Sequence, residues 1–225
     1  MQRTPTPSGV VPALAQIEAA LAPHALMVAG GVARGAAPLP EGVETLLLLA
    51  PDGPRFWPHV TASPEYSDGR PDPLDRWSRR VIDALAAEHG ARALYPFGAS
   101  PPHPFFSWAL ASGQIFASPV AWLVHPRAGL WLSFRGALGF GVALDLPPPA
   151  ANPCTDCPRP CVSACPVGAL TDRGYDLPAC HAFLDSAEGR GCMEQGCAVR
   201  AACPLSQASG RASEQSAYHM RQFHP

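Results

Sequence analysis

Residues 154–166 read Cys154-Thr-Asp-Cys157-Pro-Arg-Pro-Cys161-Val-Ser-Ala-Cys165-Pro166, and Cys180, Cys192, Cys197 and Cys203-Pro204 follow within forty residues. All eight cysteines of the 225-residue chain lie in this stretch, which points to ligation of a cofactor. Eight thiolates make two sets of four. A [4Fe-4S] cube takes one thiolate at each iron, so three ligands come from a tight loop and the fourth from elsewhere. In two-cluster proteins the cysteine before proline crosses to the other cluster. The expected sets are therefore Cys154, Cys157, Cys161 and Cys203 for one cluster, and Cys165, Cys180, Cys192 and Cys197 for the other. The usual run leaves two residues between its second and third cysteines, whereas three stand here, Pro158-Arg159-Pro160. The prolines are expected to hold the extra residue as a rigid bulge.

Two other uses of cysteine compete. A disulfide framework needs an oxidising compartment, and residues 1–11 carry no charged segment followed by an apolar run that would direct secretion. Two four-cysteine zinc sites match the count, but such sites usually come as separated Cys-x2-Cys knuckles, for which four cysteines within twelve residues leave little room.

Composition bounds the rest. A 47% hydrophobic chain of this length holds a buried core and one large or two modest domains. Its formal net charge of −2 calls for neither nucleic acid nor an anionic membrane. No apolar run approaches a membrane span, so the expectation is a soluble, cytoplasmic protein. The proline-rich segment 147–153 reads as a stiff linker between an α/β domain over 1–146 and a ferredoxin-like two-cluster domain over 154–225.

Within 1–146, helical spacing predicts a helix over 12–21, and continuous apolar runs predict strands over 25–29 and 45–50, covered on both faces. Gly30-Gly31 reads as a turn. Residues 51–73, rich in Pro, Gly, Asp and Ser, read as a long loop of the kind that forms a lid. Asp72 then caps a helix that begins at Pro73 and stops at Gly90, with Arg76, Arg79 and Arg80 on its solvated face. Further strands are expected over 91–95, 119–124, 129–134 and 138–144, with a short helix over 105–111. The alternation of helix with buried strand argues a layered α/β domain. From Gly90 to Leu144 there is no Asp or Glu, yet Arg92, Arg127, Arg135, His103 and His125 stand there. Such a stretch suits an anionic ligand, because unpaired arginine seeks phosphate or carboxylate; pairing with acids elsewhere is the alternative.

The order of these pieces resembles the cobalamin-dependent epoxyqueuosine reductases and their relatives, the reductive dehalogenases and cobalamin-processing proteins. The resemblance rests on Leu123-Val-His-Pro-Arg-Ala-Gly-Leu-Trp-Leu-Ser-Phe-Arg-Gly-Ala-Leu138, Asp145-Leu146, Cys165-Pro-Val-Gly-Ala-Leu170, Asp176-Leu-Pro-Ala-Cys-His-Ala-Phe-Leu184 and Cys203-Pro204, within about residues 100–205. It implies a nitroreductase-like corrinoid-binding domain followed by a dicluster module that passes electrons to cobalt. Two features depart from that family. Its reductases carry a catalytic aspartate in the segment before the strand pair, where this chain has no carboxylate, and they continue into a helical repeat domain that helps bind transfer RNA. Epoxyqueuosine reduction is therefore disfavoured. The first functional expectation is an electron carrier with two [4Fe-4S] clusters and a redox partner protein as donor or acceptor. The alternative is a reductase whose clusters serve cobalamin or flavin mononucleotide (FMN) in the N-terminal domain, with Arg135, Arg127 and His103 as candidate anchors. A third, non-catalytic expectation is that the clusters staple a proline-rich chain.

Overall fold

A computed structural model describes residues 12–225. Residues 1–11, on which the expectation of no leader rests, lie outside them. The strands are β1 (Leu26–Ala33), β2 (Thr45–Pro51), β3 (Arg92–Leu94), β4 (Phe116–Ala117), β5 (Leu123–Val124), β6 (Gly136–Phe140), β7 (Leu170–Thr171) and β8 (Gly174–Tyr175). Four of them form one sheet in the order β1-β2-β6-β3, antiparallel at every pairing, while β4 with β5 and β7 with β8 make short ladders. The first helices are α1 (Leu14–Leu21), α2 (Phe56–Thr61), α3 (Pro64–Ser67), α4 (Pro73–Glu88) and α5 (Phe105–Ala111). The architecture is mixed α/β.

Strand β2 explains the layering. Successive side chains of a strand point to opposite faces. Leu47 and Leu49 pack with Ile17, Leu21, Phe56, Trp77 and Ile82 from α1, α2 and α4, whereas Leu46, Leu48 and Ala50 pack with Phe105, Trp108 and Ala109 of α5. Helices cover both faces, so residues 46–50 are all apolar, and the buried Thr45 at the start of the strand has its hydroxyl satisfied by the Leu144 N–H at 3.0 Å. In α4 the residues Leu74, Trp77, Val81, Ile82 and Leu85 recur at helical spacing and are all buried.

Several local expectations are corrected. Gly30 and Gly31 form no turn; they lie inside β1, beside a bulge that follows Val28. A Cβ on Gly31 would stand 2.3 Å from Leu146 Cδ2, and one on Gly30 2.7 Å from Ser112 Oγ, so only glycine lets these neighbours approach. Residues 51–73 are no open loop. They form α2 and α3, with Phe56 and Trp57 buried in the core. Two arginines of α4 hold this segment, Arg80 pairing with Glu65 and Arg76 with Asp68 at 2.7 Å, while Arg79 lies over the ring of Tyr95 at 4.8 Å. Asp72 occupies the cap position in a left-handed conformation, φ 53°, without a side-chain cap bond. Residues 129–134 form no strand, because their polar groups are engaged elsewhere. Leu130 N–H donates to Ser206 Oγ at 2.9 Å, and its carbonyl accepts from Arg200 Nη1 at 2.8 Å.

The cysteine-bearing half contains α6 (Leu177–Leu184), α7 (Arg190–Gln195), α8 (Ala198–Ala201), α9 (Pro204–Ala208) and α10 (Ser213–Phe223). A third apolar core joins it to the segment after β4: Val120, Val124 and Leu130 pack with Cys161, Leu170, Val199 and Cys203. Among the described residues, no helix is long and apolar enough to cross a membrane.

Candidate cofactor centres

All eight cysteines are free thiols, and they line two separate cavities. Cys154, Cys157, Cys161 and Cys203 surround a narrow one of about 10 Å³, closed by Val124, Leu130, Pro160 and Pro204. The extra residue of the first run is accommodated at Arg159, which turns left-handed at φ 56° between its two prolines and donates its N–H to Cys157 Sγ at 3.4 Å. Cys154 N–H is held by Asn152 Oδ1 at 2.9 Å. Cys203 arrives from fifty residues away because Pro204 starts α9 at its first helical position, leaving Cys203 extended at the cap. Cys161 and Cys203 are 6% and 8% exposed, and burial, together with the neighbouring thiols, pushes the Cys154 and Cys161 thiols above their ordinary range.

The second cavity, about 260 Å³, is lined by Cys165, Cys180, Cys192 and Cys197. Three of these sulfurs receive hydrogen-bond donors. Ala169 N–H lies 3.2 Å from Cys165 Sγ, the Tyr175 hydroxyl donates to Cys180 Sγ at 3.3 Å, and the N–H groups of Val199 and Arg200 are directed at Cys197 from the start of α8. Burial nevertheless raises the Cys197 thiol. Donors aimed at sulfur favour the thiolate, the form that binds metal. Aromatic and aliphatic side chains, among them Trp122, Trp131, Phe183 and Phe223, complete the wall with Arg200, Arg211 and His219. Burial, reinforced by Arg211, pushes His219 down to about 3, so the imidazole is neutral at pH 7. Among the described residues, no three His, Cys, Asp or Glu side chains meet closely enough to hold a single metal ion. Four thiols border each of the two spaces.

A third cavity, about 600 Å³, opens between the sheet and α9, lined by Asp52, Arg55, Arg127, Trp131, Arg211 and Gln215 among others. Trp131 and Arg211 also line the second thiol cavity, so one wall separates the two. The three candidate anchors fall in different places. Arg127 lines this cleft and pairs with Asp52 at 2.7 Å, and Arg55 pairs with the same carboxylate. Arg135 is 12% exposed in its side chain and bonds Asp75 at 3.2 Å, so its charge is already answered inside the fold. His103 stacks on Trp108 with ring centroids 5.7 Å apart, and it lines none of the three cavities. Sequence reasoning passed over Arg200, Arg211 and His219, because nothing in their spacing marks them out.

No protein-family model matches the chain, and no curated protein does. It is similar to two solved structures of epoxyqueuosine reductase: the selenomethionine-labelled protein, and a complex with an epoxyqueuosine-modified tRNA-Tyr stem loop. Identity is 15% in both, with TM-scores of 0.43 and 0.44. The alignments cover 79% and 77% of this chain and 52% of each neighbour, so the chain spans about half their length. At that level the likeness assigns no activity to this chain.

Proposed function

We propose that the chain is an iron–sulfur electron-transfer protein that holds two [4Fe-4S] clusters, one on Cys154, Cys157, Cys161 and Cys203 and one on Cys165, Cys180, Cys192 and Cys197. The observation that carries this reading is the lining of the two cavities, each with four thiols drawn from distant parts of the chain. When bound, such a cluster supplies one-electron storage with little structural change. The residues of the chain do the rest. Backbone N–H groups and the Tyr175 hydroxyl polarise the sulfurs, and aromatic and aliphatic side chains form much of the wall around the second set. The same proposal takes residues 1–146 as a nitroreductase-like α/β domain, residues 154–225 as a ferredoxin-like one, a partner protein as electron donor or acceptor, and the cytoplasm as the location.

A second reading, a reductase that feeds electrons to cobalamin or FMN, is favoured by the 600 Å³ cleft, whose volume lies in the range of cofactor sites and which shares a wall with the second thiol cavity. Arg127 and Arg55 would face the anionic part of such a ligand there. Epoxyqueuosine reduction stays disfavoured, since no carboxylate stands between Gly90 and Leu144.

Iron and sulfide analysis with a visible spectrum of anaerobically purified protein tests both readings. About eight irons and eight sulfides per chain with broad brown absorbance support the electron carrier. Sharp corrin or flavin bands in addition support the reductase. Stoichiometric zinc, or four irons after reconstitution, refutes the two-cluster site.

A further inference from the structure

The second thiol cavity has a charge problem that its own residues do not solve. Arg200 and Arg211 both line it, both are partly buried, and neither joins an ion pair among the described residues. Arg200 donates to the Leu130 carbonyl at 2.8 Å and lies 4.4 Å over the Trp122 ring; Arg211 donates from Nε to Ser216 Oγ at 3.1 Å and lies 5.1 Å over the Trp131 ring. These neutral partners orient the guanidiniums without cancelling their charge. No Asp or Glu lines the cavity. Desolvation pushes Arg211 down to about 9, and repulsion from Arg200 adds to the effect. Two like charges held together beside an apolar space are costly unless an anion occupies that space. Four thiolates on a cube core of two positive charges leave two net negative charges, which matches two guanidiniums. The first thiol cavity has no such pair: the one arginine lining it, Arg159, is exposed to water.

We propose that Arg200 and Arg211 are positioning residues, the fixed counter-charges of the Cys165, Cys180, Cys192 and Cys197 set, and that they give this site the higher reduction potential of the two. The inference rests on the two-cluster reading above. One-electron reduction adds a negative charge, and a fixed positive charge in a low-dielectric wall favours that state far more than an exposed one does. An electron taken from an external one-electron donor would therefore rest at the Cys165 set in preference to the Cys154 set, next to the wall of Trp131 and Arg211 and hence to the 600 Å³ cleft. The donor loses one electron and that site gains it.

The test is an anaerobic redox titration followed by electron paramagnetic resonance, on the full chain and on Arg200→Gln, Arg211→Gln, Arg200→Lys and Arg211→Lys. Each glutamine variant is expected to lower the reduction equilibrium constant of the Cys165 set at least tenfold, about 59 mV for a one-electron couple, while the other set stays unchanged. The lysine variants, which keep the charge, are expected to recover most of the shift. Loss of the Cys165-set signal in a glutamine variant but not in its lysine counterpart also supports the proposal. Unmoved potentials, equal shifts at both sites, a wild-type Cys165 set of lower potential, or cluster loss in glutamine and lysine variants alike would overturn it. A wild type that holds zinc or fewer than about eight irons fails at the earlier step and removes the reading on which the proposal stands.

Discussion

Gly129→Ala tests how the segment after β4 is fastened to the cysteine-bearing half. Gly129 has φ +57°, the left-handed region, and an added Cβ would stand 2.3 Å from Ser206 N, 2.6 Å from Ser206 Oγ and 2.8 Å from the Leu205 carbonyl carbon. Two of these are backbone atoms of α9, which cannot rotate away. The left-handed conformation costs alanine about 1–2 kcal/mol, and overpacking against backbone adds about 1–3 kcal/mol. A loss of roughly 2–5 kcal/mol is therefore expected, provided α9 does not move. Relief by moving α9 carries Cys203 with it, because Cys203 caps that helix. The prediction is thus twofold: urea unfolding under argon, followed by tryptophan fluorescence, shows the destabilisation, and electron paramagnetic resonance shows weakening of the Cys154-set signal with the other retained. A variant within about 0.5 kcal/mol of wild type with both signals intact would refute the close approach and the link it makes to Cys203.

Other predictions follow from the same structure. Cys203→Ala is expected to abolish the signal of the Cys154 set while sparing that of its sequence neighbours Cys192 and Cys197; loss of only the latter signal would overturn the crossed grouping. His125 is 6% exposed and accepts N–H bonds from Arg127 and Ala128 at Nδ1, and burial pushes it down to about 4 from 6.5. Because the folded value lies below the unfolded one, its stabilising effect is full above pH 6.5 and is lost as pH falls towards 4, a change of roughly 3 kcal/mol. His219 adds to the same slope, so the difference between the pH–stability curves of wild type and His125→Gln isolates His125. Arg135→Ala is expected to cost about 2 kcal/mol, below the figure for a fully buried pair because Asp75 keeps 36% of its side chain exposed. A double-mutant cycle with Asp75→Ala should recover part of that cost, and full independence of the two substitutions would contradict the pairing.

The parts legible in the sequence are those decided over one or two turns of chain. A run such as residues 46–50, apolar at every position, has to be a strand covered twice, and the 3.6-residue spacing of Trp77, Val81, Ile82 and Leu85 has to be a helix with one buried face. The short helix over 105–111 follows the proline-rich lead-in Pro101-Pro102-His103-Pro104. Cys154, Cys157, Cys161 and Cys203 line one cavity and Cys165, Cys180, Cys192 and Cys197 the other; that these sets ligate clusters is the proposal. Only the tertiary structure decided the rest. Residues 51–73 look like a loop until Arg76 and Arg80 of α4 bind Asp68 and Glu65. Arg135 looks like an open anion anchor until Asp75, sixty residues before it, takes its charge. Arg200 and Arg211 carry no signal in the sequence, and they face a thiol-lined space without a carboxylate. The deciding ion pairs join groups 8, 15 and 60 residues apart, beyond the reach of a local pattern, and the charge of an arginine can be read from its letter whereas its partner and its dielectric surroundings exist only after the chain has folded.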